Sequence, residues 1–212
     1  MKTKKIRFLF IFFILYNFFF LSLYSQINNK ILVKVGELLI TSVDLQNEIM
    51  TNLIINKQEL TQINIDGVKS YAIQNLVNKS LKKSEINKYQ IRQYNKVDLD
   101  KYLDDIAKQL NTNTKNLKKR FEEFNISYEV FVESHKTELL WNTLIFQLYK
   151  NQTNINIVEV DRQIEKIKKN KSEEELKKIK QNLLNKKKEQ KFKLFSRSHF
   201  SNLENTISIK FL

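Results

Sequence analysis

The chain contains no proline and only two glycines, Gly36 and Gly67, among its 212 residues. Tight turns depend on glycine and proline, because these residues supply the backbone angles that a sharp reversal requires. A many-stranded sandwich or barrel needs such turns repeatedly. The sequence therefore favours a mainly α protein, built from long helices with Asn, Asp and Ser at their ends.

The first 25 residues have the layout of a secretory signal. A basic start is followed by a nearly unbroken apolar run, Phe8–Leu23, and then by Ser25. We expect export beyond the inner membrane with cleavage near Ser25. The apolar run also approaches the length of a membrane span, so a retained inner-membrane anchor is the alternative. The basic residues are Lys2, Lys4, Lys5 and Arg7.

Residues 26–212 are numerous enough for one domain with a hydrophobic core. The chain has 37 Lys and Arg against 23 Asp and Glu, a formal net charge of +14. Such a balance can indicate binding to nucleic acid, an anionic membrane or acidic clients. Asn, Lys and Ile are frequent throughout, as in a chain shaped by an A/T-rich genome. The many lysines are therefore better explained as the preferred solubilising residue than as a sign of such a partner. The absence of cysteine excludes disulfides and a thiol nucleophile.

Strand-like patterns lie near the two ends of the chain, with helix-like patterns between them. Ile31–Ile40 contains two short β-rich runs on either side of Gly36, which predicts a small hairpin. The segment 207–212 alternates apolar and polar residues and predicts a final strand. We expect these strands to pair in one small sheet, with about six or seven helices between them.

Polar residues ahead of apolar periodic runs mark the expected helix starts, because their side-chain oxygens can accept hydrogen bonds from unpaired backbone N–H groups. Ser172 with Glu175 forms an S-x-x-E capping box, and Thr41 with Asp44 is an acidic variant of it. Asn125 is predicted to end a short helix in the left-handed conformation. The other predicted starts are Asp66, Asp98, Asn113, Ser127 and Asn156.

No catalytic or metal-binding pattern occurs in the sequence. The only two histidines, His135 and His199, lack the spacing of metal ligands; we expect the first on a helix face and the second partly buried. Two glycines cannot build a phosphate-binding loop or a dinucleotide fingerprint. The pairs Asp104–Asp105 and Glu122–Glu123 are adjacent on helices and point apart. We therefore expect no enzyme activity, no metal and no cofactor.

A basic stretch near the C-terminus superficially resembles a nucleic-acid surface, because aromatic residues alternate with its charges. We expect these aromatics to face the core of a long helix instead, and we expect no nucleic-acid binding from an exported protein. The basic residues are Lys186, Lys187, Lys188, Lys191, Lys193 and Arg197, and the aromatic ones are Phe192, Phe195 and Phe200.

Five stretches of the sequence resemble the SurA-type periplasmic chaperones. In that family a strand, a glycine-containing turn and a second strand lead into a capped helix, as in Val33–Ile49. The best match, Val97–Ile145, keeps a helix, an Asn-rich break, a short helix and the corner N-I-S-Y-x-x-F before a long helix. Ile157 stands where relatives often carry proline. The other stretches are Ile73–Ile91, Asn156–Ile167 and Leu183–Leu212.

The resemblance implies a chaperone core that lacks the family's isomerase domains. One or two parvulin-type prolyl isomerase domains usually stand between the closing helix of the N-terminal part and the C-terminal helix. Here only Lys168–Lys171 separates the closing helix from the C-terminal helix. The N-terminal part is therefore 26–169, and the C-terminal helix and strand are 172–212. We therefore expect a periplasmic, ATP-independent holdase for unfolded outer-membrane or exported proteins, without prolyl isomerase activity.

In such a chaperone, a groove between the N-terminal helices and the C-terminal helix would shield aromatic client segments. Core packing is the alternative role for each candidate residue. The competing functions are an inner-membrane-anchored scaffold of an envelope complex and a basic surface that binds anionic lipid or nucleic acid. Membrane contact is expected only through the signal or anchor segment, and the oligomeric state stays open. The candidate residues are Phe121, Phe124, Tyr128, Phe131 and Trp141.

Overall fold

Helices make up most of the described chain, and a small sheet accompanies them. The computed structural model describes residues 29–169 and 171–212, so the predicted signal or anchor segment, 1–25, lies outside the described residues. Within the described part there are seven α-helices and three strands, which confirms the predicted mainly α fold. Residues 31–212 pack as one unit.

The three strands form one antiparallel sheet that joins distant parts of the chain. Strand β1 (Ile31–Val35) lies between β2 (Leu38–Thr41) and β3 (Ile209–Phe211). The register places Val35 opposite Ile209. The predicted hairpin and its pairing with the final strand are both confirmed.

The helices occupy the chain between β2 and β3. In chain order they are α1 (Ser42–Ile55), α2 (Gln62–Lys88), α3 (Lys96–Gln109), α4 (Thr114–Glu122), α5 (Tyr128–Tyr149), α6 (Ile157–Ile167) and α7 (Glu173–Thr206), with a 3₁₀ turn at Lys150–Gln152. Helix α7 has 34 residues and is therefore about 50 Å long. Helix α2 packs against α1, α5 and the sheet, whereas α7 packs against α2, α5 and α6.

Side-chain caps begin the helices, and most of them are the predicted ones. The Asp44 backbone N–H donates to Thr41 Oγ1 at 3.3 Å, and the Thr41 N–H donates to Asp44 Oδ2 at 2.8 Å. The same reciprocal capping box joins Ser172 and Glu175 at the start of α7. The remaining confirmed caps are Asn113, Ser127 and Asn156.

Two predicted helix starts are wrong because an earlier residue caps the helix. Helix α2 begins after Thr61, whose hydroxyl accepts the backbone N–H of Asn64, so Asp66 lies inside the helix. Helix α3 begins after Asn95, and Asp98 occupies its first turn. A carboxylate in the first turn still stabilises a helix through the macrodipole, so Asp98 is a real N-terminal signal, whereas Asp66 lies beyond the first turn of α2.

Several residues end helices or turns in the left-handed conformation. Asn125 follows α4 with φ of 54°, which confirms the prediction made for it. Gly36 has φ of 57° at the turn between β1 and β2. Its backbone N–H donates to the Ser208 carbonyl at 2.9 Å, so this turn also holds the chain that enters β3.

The two glycines should respond in opposite ways to replacement by alanine. Gly36→Ala should lower the free energy of unfolding by about 1 kcal/mol, because a Cβ is strained at this positive φ; the new Cβ would also lie 3.4 Å from Ile207 Cγ2. Gly67 lies in α2, where an added Cβ meets nothing within 4 Å. Gly67→Ala should raise the free energy of unfolding by about 0.5–1 kcal/mol. Urea denaturation of both variants checks the pair, and equal shifts would contradict it.

The core consists of four hydrophobic clusters. One lies beneath the sheet, where Val33, Val35 and Ile40 pack on Val77 and Leu81 of α2. A second lies among α3, α4 and α5, and a third joins the end of α2 to α5 and α7. The fourth lies between α1 and α2. Helix α5 contributes to two clusters and so links the α3–α4 pair to the C-terminal helix.

Candidate functional site

A surface groove of about 460 Å³ lies between α5 and α7. It runs between the N-terminal part of the chain and the C-terminal helix, where the sequence predicts a client groove. Its lining residues are Asn142, Ile145 and Phe146 from α5, and Glu189, Phe192, Lys193, Ser196 and Arg197 from α7.

Aromatic contacts hold the two helices beside each other and fix their direction. The Trp141 indole N–H donates to Ser196 Oγ at 2.8 Å. Further along α5, the rings of Phe146 and Phe192 lie 5.6 Å apart. The residue that follows later on α5, Phe146, therefore meets the residue that comes earlier on α7, Phe192, so the two helices run antiparallel. Asn142 and Arg197 consequently lie toward one end of the groove, and Phe146 lies toward the other.

A buried polar cluster, formed by Glu85, Tyr149 and His199, also holds α7 in place. His199 Nε2 lies 3.0 Å from Glu85 Oε1 of α2, and the Tyr149 hydroxyl of α5 lies 2.9 Å from His199 Nδ1. Burial raises the pKa of Tyr149, so its hydroxyl keeps its proton and can donate. When the Tyr149 hydroxyl donates to His199 Nδ1, the Nε2–H of His199 donates to Glu85 Oε1. The cluster joins three helices, and the prediction that His199 is partly buried is confirmed.

The groove has an apolar end and a basic end. Phe146 is 53% exposed although it is a large aromatic residue, and it stands beside the half-buried Phe192 above Ile145. Toward the other end, Lys193 and Arg197 are exposed, and neither forms an ion pair within the described part of the chain. The arrangement can bind an apolar group and an anionic group side by side.

The structure separates the five predicted client-binding residues into two clusters. Phe121, Phe124, Tyr128 and Phe131 pack together among α3, α4 and α5, whereas Trp141 lies in the cluster beside α7. Their assignment to client binding stays a prediction. In this conformation Phe121, Phe131 and Trp141 are buried as core residues. Only Phe124 and Tyr128 are partly exposed, so direct contact with a client would fall to them.

Sequence reasoning did not single out Phe146, which is the most exposed aromatic residue of the groove. It assigned Phe192, Phe195 and Phe200 to the core side of α7. The structure confirms that Phe195 and Phe200 pack against the core, and Phe192 both packs there and lines the groove. The sequence does contain a signal for Phe146, because this large apolar residue lies outside the buried stripe of its helix.

A second, more polar cleft of about 260 Å³ lies among α1, α2, α3 and α5. Its main charged groups pair with each other: Lys79 Nζ lies 2.7 Å from Glu48 Oε2. His135 stacks on the Tyr102 ring, and burial lowers the pKa of His135 and raises that of Tyr102. A neutral histidine against a neutral phenol suits packing, as expected for a residue on a helix face.

Metal ligands and membrane-spanning helices are both missing from residues 29–169 and 171–212. No group of three or more His, Asp or Glu side chains in this part of the chain could hold a metal ion. No helix in these two ranges is long and apolar enough to cross a bilayer.

Comparison with solved structures finds proteins of similar structure, of which one is described below. No protein-family model matches the chain, and no match is found among curated proteins. The chain is similar to a solved structure from Campylobacter jejuni, whose study describes the virulence factor PEB4 and the periplasmic protein Cj1289 as two structurally related SurA-like chaperones. The TM-score is 0.44 and the identity 17%, over 87% of this chain and 99% of that chain. A similarity at this level assigns no family to the chain.

Proposed function

We propose that this protein is an ATP-independent chaperone that binds unfolded outer-membrane or exported proteins in the periplasm. Client segments lie in the groove between α5 and α7, with an apolar side chain against Phe146 and Phe192. The observation that carries the proposal is this open groove, whose apolar end exposes an aromatic residue on a framework held by the buried cluster of Glu85, Tyr149 and His199. The sequence resemblance to SurA-type chaperones supports it.

The shallow groove suits weak and reversible binding. An apolar client side chain that buries on the order of 100 Å² gains about 2.5 kcal/mol before ordering costs are subtracted. That gain corresponds to a dissociation constant on the order of 10 mM or weaker for a single contact. An unfolded client offers many such side chains, so repeated contacts can hold it while each one still releases rapidly. Release therefore needs no ATP.

The proposal includes neither an isomerase nor another enzyme activity. A parvulin-type domain between α6 and α7 would need a long insertion, whereas the sequence places only Lys168–Ser172 between Ile167 and Glu173. The proposed partners are unfolded client proteins, and nucleic acid is not among them. Contact with the membrane is confined to the N-terminal signal or anchor segment.

Suppression of aggregation is the direct test of the proposed function. A denatured outer-membrane β-barrel protein is diluted with and without this protein, and light scattering is followed at low and at moderate salt. We expect suppression at a near-stoichiometric ratio at both salt concentrations, because apolar contacts are only weakly screened. Suppression that disappears steeply with salt would instead indicate a basic surface binder. No suppression by a helical, folded sample would contradict the proposal and favour the anchored scaffold.

Phe146→Ser should weaken the chaperone without unfolding it. The side chain is only half exposed and its ring contacts Phe192, so the free energy of unfolding should fall by about 1 kcal/mol, which leaves the protein folded. The loss of the aromatic contact should raise the protein concentration needed for half-maximal suppression roughly fivefold. Leu194→Ser is the matched control, because Leu194 is 62% exposed on α7 but does not line the groove. Equal effects of the two substitutions on suppression would place client binding elsewhere.

A further inference from the structure

The groove has an aromatic end and a basic end, so it can distinguish client segments by their charge as well as by their apolar side chains. We infer that it selects extended client segments in which an aromatic residue and an Asp or Glu stand two positions apart. This inference rests on the proposed function and names the class of segment that the same groove binds. It follows from the charges that line the groove and from their distance to the aromatic pair.

Two cations on one face of α7 form the basic end. Lys193 and Arg197 are separated by one turn of the helix, so their side chains lie on the same face. Both are exposed and lack an acidic partner within residues 29–169 and 171–212. The only acidic lining residue, Glu189, stands one turn before Lys193, beyond Phe192 and away from Arg197. Lys193 directly follows Phe192 and Arg197 lies one turn farther on, so a carboxylate is attracted to the stretch from Lys193 to Arg197 and is repelled by Glu189 on the far side of Phe192.

Hydrogen-bond donors at the same end complement a carboxylate. Arg197 offers a planar guanidinium that can donate two parallel hydrogen bonds to one carboxylate. Ser196 Oγ accepts the Trp141 indole N–H, which leaves its own hydroxyl hydrogen to donate into the groove. The Asn142 amide lines the groove near this point and has no hydrogen bond within the described part of the chain. An uncharged amide in place of the carboxylate would lose the attraction to both cations.

The distance between the two ends sets the spacing of the segment. Phe192 and Arg197 are five positions apart on α7, which corresponds to about 7.5 Å along the helix axis. In an extended chain, side chains two positions apart point the same way and are separated by about 6.8 Å. Adjacent side chains point to opposite faces and cannot both enter the groove. The geometry thus favours aromatic-x-acid or acid-x-aromatic, depending on the direction in which the segment lies.

Fluorescently labelled short peptides test this selection by anisotropy, using the protein purified after expression of the full-length chain. On a common Ser- and Thr-rich background, one peptide carries Phe-x-Asp. The others carry Phe-x-Asn, the adjacent pair Phe-Asp, or Ser-x-Asp. We expect the first to bind roughly fivefold more tightly than each of the others, since each control lacks the charge, the spacing or the aromatic ring. Equal affinity of Phe-x-Asp and Phe-x-Asn would overturn the inference.

A charge reversal on the protein provides the complementary test. The double variant K193E/R197E should bind Phe-x-Asp roughly fivefold more weakly and should bind Phe-x-Lys more tightly than the unmodified protein does. The control K186E/K188E makes the same charge change on exposed residues of α7 that do not line the groove. It should leave both affinities unchanged. If this control changes the peptide preference as much as K193E/R197E does, the attraction is a general effect of net charge and the inference fails.

The aggregation assay separates this inference from the function on which it rests. If the protein suppresses aggregation but shows no preference among the peptides, the groove is an unselective apolar site and only the inference fails. If it neither suppresses aggregation nor binds any peptide, the proposed function fails together with the inference. Tight binding of Ser-x-Asp or of anionic lipid vesicles without suppression would indicate a basic surface binder and would overturn both.

Discussion

Replacing Phe121 with alanine should lower the free energy of unfolding by about 3–5 kcal/mol. The side chain is fully buried, and its ring lies 4.5 Å from that of Phe131 and 5.9 Å from that of Tyr128. Truncation would remove its burial from water and leave a cavity that neighbours on three helices cannot close. Urea denaturation followed by circular dichroism measures the loss. For a domain with ordinary stability, this loss would bring the protein close to unfolding at physiological temperature.

Phe124→Ala is the control for that experiment, because Phe124 belongs to the same cluster but is only partly buried. It should cost markedly less, on the order of 1 kcal/mol. The pair also tests the two roles that the sequence leaves open for these aromatics. If Phe121→Ala leaves stability unchanged and abolishes aggregation suppression, Phe121 is a client-binding residue that becomes exposed in another conformation. If it lowers stability as expected, its role is core packing.

Replacing His199 with alanine should lower the free energy of unfolding by about 3 kcal/mol, because it leaves the buried carboxylate of Glu85 without its main hydrogen-bond partner. Glu85 is only 4% exposed, and its contact with His199 Nε2 is 3.0 Å long. The ammonium group of Lys88 lies 3.4 Å from Glu85, but its side chain is exposed. The substitution also leaves the Tyr149 hydroxyl without its partner on α7. Thermal and urea denaturation measure the change.

A double-mutant cycle distinguishes this coupling from simple loss of packing. Glu85→Leu combined with His199→Leu removes the carboxylate and its partner together, so no charge stays buried. The double variant should be more stable than the sum of the two single variants predicts, by about 2 kcal/mol. Additive effects would show that Glu85 and His199 contribute independently, and that α7 is held against α2 by its apolar contacts alone.

Sequence predicted most of the fold where the determining signal is local. Caps such as Thr41, Asn113 and Ser172 act within one helical turn, so a short window of sequence contains both partners. The starts assigned to Asp66 and Asp98 were wrong because polar segments offer several competing caps. Thr61 and Asn95 begin the helices a few residues earlier, and the apolar residues in these first turns, Ile63 and Val97, are exposed, so the buried stripe does not mark the true start.

The candidate site was predictable only in outline. A groove beside the C-terminal helix follows from the resemblance, but its lining depends on how far α5 and α7 stand apart at each level. At Trp141 the two helices are bridged by the hydrogen bond to Ser196, whereas at Phe146 a groove stays open between them. Periodicity identifies both as apolar residues of one helix. It does not say which of them meets a neighbour, because the neighbour lies about 50 positions further along the chain.

The position of β1 between β2 and β3 has a consequence for when the protein can fold. Of the three described strands, β1 is synthesised first, yet one of its partners is the last of them, Ile209–Phe211, so the sheet stays incomplete until that strand has been made. Until then the cluster beneath the sheet lacks Ile207 and Ile209. Pairing across such a long separation in sequence is slow. For the exported chain proposed above, this strand order would keep the sheet unformed until Ile209–Phe211 had also crossed the membrane.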